Sequence, residues 1–458
     1  MEKLQFGQFD RRQLEEFFEE PYVVIPTRRP EQWYVIAPKW INFQIGWLER
    51  STKGYNIFLI NKYVKWFADI PEDLQKKFRF KEPLPYKVVN GVLWTGKALQ
   101  NRAWQQYRDF LLRREGEDKF RIKKGSEFKL IAQMIEDGML PFMPTPIDAE
   151  DLRAYDNIAL KDYQTEAWQT FLKTGAVGIF WAFGAGKTFL GLFALGRIKG
   201  RKLVVVPTKT LKEQWIERIE KYLPAYNDEI DVETYHAYHR VRGKEYDLVE
   251  FDECQHLPAP TFIRLSTLRA KYRMGFSGSP YREDGKENYI IALTGFPVGM
   301  SWDKLLKLQV VKEPTFRVYI LRDQNEKLKK LEELVKIPVK TIIFCDWLKL
   351  GKRVSSKFGI PFVTHETRER LPIIRESQTC VVSRVGEEGI SDPNLERVIE
   401  IGFLFGSRMQ ESQRFGRLMH SMKEEPEHII LMTEKEFNAY NKRLLAIHER
   451  GFRVEYIR

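Results

Sequence analysis

The chain has 458 residues, of which 43% are hydrophobic and 30% charged, with a formal net charge of +12. That length exceeds what one hydrophobic core serves and predicts three or more domains, while the composition excludes a disordered chain. Three cysteines without paired spacing exclude a disulfide framework and a zinc site and suit a reducing cytosol, and the surplus of Lys and Arg suits a polyanionic partner.

The N-terminal run MEKLQFGQFDRRQLEEFFEE is too charged for a signal peptide, and no apolar run is long enough to span a membrane, so a cytoplasmic protein is expected. From Tyr22 to Phe67, aromatic and β-branched residues recur between turn signals (YVVI, WYVIA, FQIGWLE, YNIFLI), which predicts a small, mostly antiparallel sheet in a β-rich domain over residues 1–90. Over 91–150, KALQNRAWQQYRDFLLRR and SEFKLIAQMIEDG space their apolar residues at helical intervals, and PFMPTPIDAEDL reads as a proline-rich linker. Trp33, Trp40, Trp47, Trp66, Trp94 and Trp104 enrich this region in tryptophan. Each is open to two readings, a core residue or a platform for unpaired bases.

Beyond Leu160, helical patterns alternate with short buried strands: DYQTEAWQTFLKT, AVGIFWAF, KLVVVPT, LKEQWIERIEKYL and YDLVEFDE. That rhythm predicts a parallel sheet flanked by helices over 151–310. It restarts at TIIFCDW and continues through PFVTH, TCVVSR and RVIEIG, giving a second lobe with a C-terminal helix over 341–458. Between them, 311–340 reads as a connector whose charged run NEKLKKLEELVK forms a solvated helix. The expected fold class is α/β, two tandem parallel-sheet lobes with a mixed α+β N-terminal domain.

Gly184, Ala185, Gly186, Lys187 and Thr188 follow an apolar strand and precede an apolar helix. In that setting glycines let backbone N–H groups approach phosphate oxygens, Lys187 reaches the β and γ phosphates of ATP, and the Thr188 hydroxyl holds Mg²⁺. The strict P-loop pattern GxxxxGK[ST] is unmet, because Trp181 stands where its first glycine belongs. A second element supports the reading: YDLVEFDECQH is an apolar strand ending in Asp252 and Glu253, the first suited to hold Mg²⁺ and the second to orient or deprotonate an attacking water.

In their order these segments resemble superfamily 2 helicases, and within them the XPB-like branch, especially its archaeal members, over roughly residues 158–433. The resemblance implies RecA-like lobes and ATP-dependent motion on DNA, single-stranded or forked, from 3′ to 5′, with a role in DNA repair and a nuclease as a possible partner. LKDYQ resembles the family's adenine-recognising motif, with Gln164 as base reader. PTKTLKEQW with Thr208, and ETY with Thr234, resemble strand-contacting motifs. In GFSGSPYREDG, Ser277-Gly278-Ser279 matches the motif that couples hydrolysis to movement. The triplet Arg282, Glu283 and Asp284 matches the XPB-like signature implicated in DNA opening. In the second lobe His365 and Ser383 fall in nucleic-acid-contacting motifs, and Gln413, Arg414 and Arg417 form the Q-R-x-G-R pattern whose arginines reach toward the γ-phosphate. Taken singly, Thr208, Thr234 and Ser383 read as helix caps, His365 as a surface histidine, and Arg282 to Asp284 as an exposed turn.

Three departures stand out. His420 occupies the last position of the family's Q-R-x-G-R-x-x-R pattern, where imidazole, shorter than guanidinium and mostly neutral at pH 7, stabilises developing charge less; Arg417 or Arg408 could take the role. Ser391 stands where an aspartate is expected, with Asp392 next to it. The chain from Tyr319 to Thr341 is too short for the helical thumb that XPB-like proteins often carry. An RNA-directed motor and a weak ATPase serving as a DNA-binding scaffold for a nuclease are the alternatives.

Overall fold

The computed structural model describes residues 22–29, 31–39, 46–52, 54–62, 64, 70–78, 86–89, 91–137, 145–181, 184–278, 286–299, 308, 313–383, 392–404, 408–448, 450 and 452–458. The N-terminal region holds two four-stranded antiparallel sheets. The first contains β1 (Val23–Pro26), β2 (Gln32–Pro38), β3 (Trp47–Ser51) and β4 (Tyr55–Asn61) in the order β1-β2-β4-β3. Its inner face buries Val35, Ala37, Leu48, Phe58 and Ile60, with Leu74 and Phe78 packed on them. The second contains β5 (Lys87–Val89), β6 (Val92–Trp94), β7 (Leu111–Arg114) and β8 (Lys119–Ile122) in the order β5-β6-β8-β7.

Here the structure departs from the helical spacing read over KALQNRAWQQYRDFLLRR. The helix Gln100–Tyr107 ends at Tyr107, and Leu111–Arg114 pairs with β8 instead. Leu111 is buried beside Tyr107 and Phe120, so the apolar residues that continued the helical period fill a sheet-backed core. The helix Glu127–Glu136 does follow. Trp33 packs on Phe78 and Trp104 stacks on Phe120, with ring centroids 5.2 and 5.5 Å apart, so both serve cores. Trp94 is exposed at 37% with Lys119 Nζ over its ring, so it serves no core, whereas Trp40 and Trp66 lie outside the described residues.

The first lobe is a six-stranded parallel sheet of β9 (Ala176–Phe180), β10 (Lys202–Val206), β11 (Ile230–Thr234), β12 (Glu245–Phe251), β13 (Arg269–Ser277) and β14 (Phe296–Gly299). Their order is β11-β10-β12-β13-β9-β14, so the connection that leaves β9 runs one way, past β13 and β12 to β10, while the one that leaves its neighbour β13 runs the other way, past β9 to β14. Ligands of open parallel sheets sit outside the C-terminal strand ends at such a reversal. Strand β10 is buried along its whole length, as its KLVVV sequence requires of a strand covered on both faces.

The second lobe is a seven-stranded parallel sheet of β15 (Thr315–Leu321), β16 (Thr341–Cys345), β17 (Phe362–Val363), β18 (Thr379–Val382), β19 (Arg397–Gly402), β20 (Glu427–Thr433) and β21 (Val454–Ile457), in the order β17-β18-β16-β19-β20-β15-β21. The connector expectation for 311–340 is corrected. Strand β15 lies between β20 and β21, and the helix Gln324–Val335, capped by Asp323, buries Leu328, Leu331 and Leu334 against this sheet. Its charged run covers the lobe on one face only. One continuous cluster of buried residues includes Leu190 and Trp215 of the first lobe and Phe316, Phe415 and Met432 of the second, so the lobes are packed on each other.

Inside the second lobe lies a buried ionic network. Glu400 of β19 receives Arg414 Nη1 at 2.5 Å and Arg443 Nη2 at 2.8 Å on one oxygen. Its other oxygen and Glu411 Oε1 each lie 3.0 Å from His428 Nε2, and Arg443 Nε donates to Glu411 at 2.6 Å. Arg414 also donates to Asp346. Burial acts to raise the Glu400 pKa, but Arg443, Arg414 and His428 outweigh it and hold the carboxyl well below its ordinary value. The ligand atoms of Glu400, Glu411 and His428 approach within 4.8 Å of one another, near enough for a cation, but two guanidinium groups already supply the positive charge. Arg443→Met would leave the three buried carboxylates of Glu400, Glu411 and Asp346 with one guanidinium, Arg414, and cost about 3–5 kcal/mol. A urea midpoint within error of wild type would show that the network is not structural.

Candidate active site at the strand ends

The phosphate turn follows β9. Gly184 and Gly186 adopt φ of +97° and +75°, left-handed values that other L-residues avoid. A Cβ at Gly186 would also lie 2.6 Å from Gln164 Nε2, so this position excludes side chains twice over. Gln164, on the helix Asp162–Thr174, donates from Nε2 to the Gly186 carbonyl at 3.0 Å and accepts from the Lys161 N–H at 2.9 Å. One amide hydrogen and one lone pair remain for a base. Tyr163, which the motif reading passed over, donates its hydroxyl to the Ala185 carbonyl at 2.8 Å.

Trp181 is buried at 1% exposure with the Tyr163 ring edge-on at 5.1 Å, so the residue that breaks the strict P-loop pattern is a core support under the turn. Its carbonyl accepts from Lys187 Nζ at 2.9 Å. Burial lowers the Lys187 pKa, and the fields of Glu253 and then Asp252 partly restore it. Lysine and carboxylates therefore share one enclosed site, although they come from different strands. Thr188 lies half-buried in the first turn of the helix Lys187–Arg197, where backbone N–H groups and the helix dipole favour anions.

Asp252 follows β12 and is buried. Trp215 Nε1 donates to Asp252 Oδ2 at 2.8 Å, the Glu253 N–H donates to Oδ1 at 3.0 Å, and the Tyr235 hydroxyl donates to the Asp252 carbonyl at 2.5 Å. Burial raises the Asp252 pKa, while Trp215, Lys187, the Glu253 N–H and Arg218 pull it down. A carboxylate has about four acceptor positions, so these bonds leave lone pairs for a divalent cation, and the oxygen donors of Thr188 and Asp252 fit a hard ion such as Mg²⁺. Glu253 sits at φ +50° and ψ 47°, one of two left-handed non-glycine residues among those described. A conformation costing about 1–3 kcal/mol persists only where its surroundings impose it. Gln255 Nε2 holds Glu253 Oε2 at 2.5 Å, fixing the direction of the carboxylate. Trp215 and Gln255 lay inside motifs visible in the sequence, but their aim toward the acids depends on the fold.

The second-lobe residues divide. Arg414 is fully buried, and its guanidinium is committed to Glu400 and Asp346. It anchors the helix Arg408–Gly416 to the sheet, which corrects the expectation that it reaches outward toward a phosphate. Gln413 on the same helix is buried at 5%, and Arg417 at its end is half-buried. Asp392, beside the departure at Ser391, accepts from the Asn394 N–H at 2.9 Å and faces Lys340 Nζ at 3.5 Å, the role of a turn cap.

In each lobe, the strand-end residues expected to contact nucleic acid follow or end an edge strand and its inner neighbour. Thr208 follows β10 and Thr234 ends β11, where Val206 and Thr234 are register partners. In the second lobe His365 follows β17 and Ser383 follows β18, with Val363 and Val382 in register. Thr208 caps the helix Lys209–Tyr222, its hydroxyl accepting from the Leu211 N–H at 3.3 Å, whereas Thr234 makes no side-chain cap. His365 is exposed beside Glu366, and Ser383 is buried at 5% with its N–H bonded to Val363. Ser277 ends β13 next to Phe180 of β9. Ser279, Arg282, Glu283 and Asp284 lie outside the described residues.

Comparison with known proteins agrees with this geometry. Residues 157–282 match the family described as "Type III restriction enzyme, res subunit", and residues 324–449 match "ERCC3/RAD25/XPB C-terminal helicase". The fold resembles Saccharomyces cerevisiae Dbp5 bound to RNA and ADP BeF3, with TM-score 0.53 at 13% identity over 65% of this chain and 89% of that one. Helicase Lhr of Mycobacterium smegmatis bound to ssDNA and AMP-PNP gives 0.50 at 14% identity over 65% and 49%. Two RecA-like lobes that match these family models define a member of the superfamily 2 helicase class.

Within that class the similarity narrows. A putative DNA 3′-5′ helicase Rad25 of Haloarcula marismortui is 30% identical over 67% of this chain and 59% of its own length, and that of Halobacterium salinarum 28% identical over 67% and 61%. The DNA 3′-5′ translocase XPB2 of Sulfurisphaera tokodaii is 28% identical over 66% and 86%. The chain belongs to the XPB-like family, and spans about three fifths of the length of its two haloarchaeal relatives.

Glu250 lies two residues before Asp252 on β12, fully buried, with both carboxyl oxygens lacking a hydrogen-bond partner among the described residues. Burial, reinforced by Asp252, raises its pKa well above the ordinary value, so the folded protein keeps this acid protonated. In the unfolded chain it ionises near pH 4.3, so from about there up to its folded pKa the unfolded state binds fewer protons and stability falls as pH rises. Glu250→Gln lacks this titration. Its stability relative to wild type is expected to rise with pH above about 4.3 and up to the folded pKa of Glu250, by at most about 1.4 kcal/mol per pH unit. Parallel stability curves for the two proteins would show that the side chain is ionised or solvated in the folded state.

Proposed function

We propose that the chain is an ATP- and Mg²⁺-dependent DNA helicase or translocase that hydrolyses ATP between its two lobes and moves 3′ to 5′ on one strand. The observation that carries this reading is the meeting of Lys187, Asp252 and Glu253 in one enclosed site, with Glu253 held in a left-handed backbone by the fold. The names of the haloarchaeal and Sulfurisphaera relatives support DNA as the polymer and 3′-5′ as the direction.

In this mechanism the N–H groups of Gly184 to Thr188 and the Lys187 ammonium hold the β and γ phosphates. On nucleotide binding Lys187 exchanges the Trp181 carbonyl for phosphate oxygens. Gln164 spends its remaining hydrogen and lone pair on adenine. Thr188 and Asp252 hold Mg²⁺, which when bound supplies charge neutralisation at the phosphates. Glu253, oriented by Gln255, takes the proton of the attacking water. Gln413 and Arg417 complete the site from the second lobe, while Arg414 keeps their helix in place. Closure of the lobes for each turnover shifts the strand-end pair Thr208 and Thr234 relative to His365 and Ser383, so hydrolysis becomes a step along the backbone. Arg282, Glu283 and Asp284 assist strand opening. The proposed setting is DNA repair in the cytoplasm, with single-stranded or forked DNA as substrate and a nuclease as partner.

ATP hydrolysis measured without polymer and with single-stranded DNA, forked DNA or RNA tests this reading. DNA should stimulate turnover, Lys187→Ala should abolish it, and Glu253→Gln should lower kcat by about 10²–10⁴-fold. His420→Arg should raise kcat, by less than the 10³–10⁵-fold ascribed to a full arginine finger. Hydrolysis that no polymer makes dependent on Lys187 would leave the scaffold reading, and stimulation by RNA alone would leave the RNA-directed one.

A further inference from the structure

The two N-terminal sheets are divided between the two lobes. The second sits on lobe 1: Ile131 of the helix Glu127–Glu136 packs against the cluster that contains Phe251 and Leu293, Lys87 Nζ donates to Thr145 Oγ1 at 3.3 Å, and Glu127 lies in the field of half-buried Arg273. The first sits on lobe 2. The helix Leu445–His448 lies against β3, and Leu445 packs against the first sheet's core. Seven residues, 79–85, connect Phe78 of the first unit to Tyr86 of the second, so that link spans at most about 29 Å.

The first sheet's edge strand also touches the helix that carries Gln413. At Gly46 the backbone has φ +68°, and a Cβ there would run into the Leu59 carbonyl, so β3 enters the sheet at a close approach that only glycine permits. The next residue, Trp47, faces Arg408, whose guanidinium carbon lies 4.1 Å from the ring centroid. Arg408 is buried at 6% and opens the helix Arg408–Gly416. At its first turn, that helix is therefore gripped from outside the motor by a desolvated cation–π contact. At its far end Arg414 pins it to Glu400 and Asp346.

We propose that Trp47 is a positioning residue for hydrolysis: by holding Arg408, the N-terminal sheet fixes the helix that presents Gln413 and Arg417, and undocking of this sheet slows the motor. The proposal rests on the ATPase reading above for its consequence, but not for its geometry. It gives the N-terminal unit a way to throttle the ATPase. Whatever draws the sheet away from lobe 2 takes the Trp47 ring off Arg408, and the short link to the second sheet limits how far the lobes can part while both sheets stay docked.

The test uses the full chain with Trp47→Leu, which keeps apolar bulk at the edge strand and removes the π face, and Trp47→Phe, which restores a π face. Two readouts are taken, amide hydrogen exchange and ATPase kinetics with DNA. In Trp47→Leu, exchange across 408–416 should quicken while that across 187–197 stays unchanged. The kcat should fall about three- to tenfold, with KM for ATP within about twofold of wild type. Trp47→Phe should recover most of both. Unchanged exchange across 408–416 in Trp47→Leu overturns the proposal, and so does faster exchange with unchanged kcat. If the wild type shows no Lys187-dependent hydrolysis, the functional reading has failed, and exchange alone still decides whether Trp47 holds the helix.

Discussion

Everything in this protein that bears on chemistry depends on charge kept inside or beside two parallel sheets without leaving it uncompensated. A bare ion costs several kcal/mol to bury, so each buried charge specifies its partners. In lobe 1 this constraint draws Lys187 from the helix after β9 toward Asp252 and Glu253 after β12, across the intervening β13. In lobe 2 it locks Arg414 and Arg443 onto Glu400, Glu411 and Asp346. The two sites solve the same electrostatic problem differently. The lobe 2 network is closed, with each acid paired to a fixed guanidinium. In lobe 1, Lys187 ends on a carbonyl that it can exchange for phosphate, and Asp252 keeps lone pairs unspent.

The difference explains why strain collects in lobe 1. Gly184, Gly186 and Glu253 all adopt left-handed backbone conformations within the same enclosed site, and the first two carry no Cβ penalty. Glu253 does carry one. Its surroundings impose the conformation through the Gln255 bond and through the adjoining Asp252, itself held by Trp215, Tyr235 and a backbone bond to Val205. In the proposed function, that backbone conformation and the Gln255 bond orient the carboxylate that takes the proton of the attacking water.

Much of this was legible in the sequence, for physical reasons. Gly-Ala-Gly-Lys-Thr after an apolar strand and Asp-Glu after another are local patterns, and buried parallel strands announce themselves as runs such as KLVVV and TIIFC. What escaped was set by distant contacts. Leu111 and Leu112 continue a helical period, yet the pairing of β7 with β8 overrides it. The run NEKLKKLEELVK looks solvated, yet Lys327 is buried at 1% because Glu436, far along the chain, receives it at 2.7 Å. Arg414 matches an outward-reaching motif, but Glu400 on β19 and Asp346 just after β16 turn it inward. Trp181 read as a defect of the phosphate turn and proved to be its floor. In each case one residue's role was decided by a partner that local periodicity cannot name.

The same reasoning applies to the N-terminal region, which no motif placed. Two small sheets, each with its own apolar core, need not have attached to the motor in any particular way. They attach one to each lobe, and the first does so over the helix whose other end is pinned by Arg414. A helix fixed at both ends by charge, by Trp47 at Arg408 and by two acids at Arg414, transmits displacement of the outer sheet to the residues between them. Gln413 is one of those residues, and Arg417 follows directly. The accessory region is thus built into the geometry that the proposed hydrolysis needs, and the short chain from Phe78 to Tyr86 makes it a second mechanical link between the lobes that the proposed cycle closes.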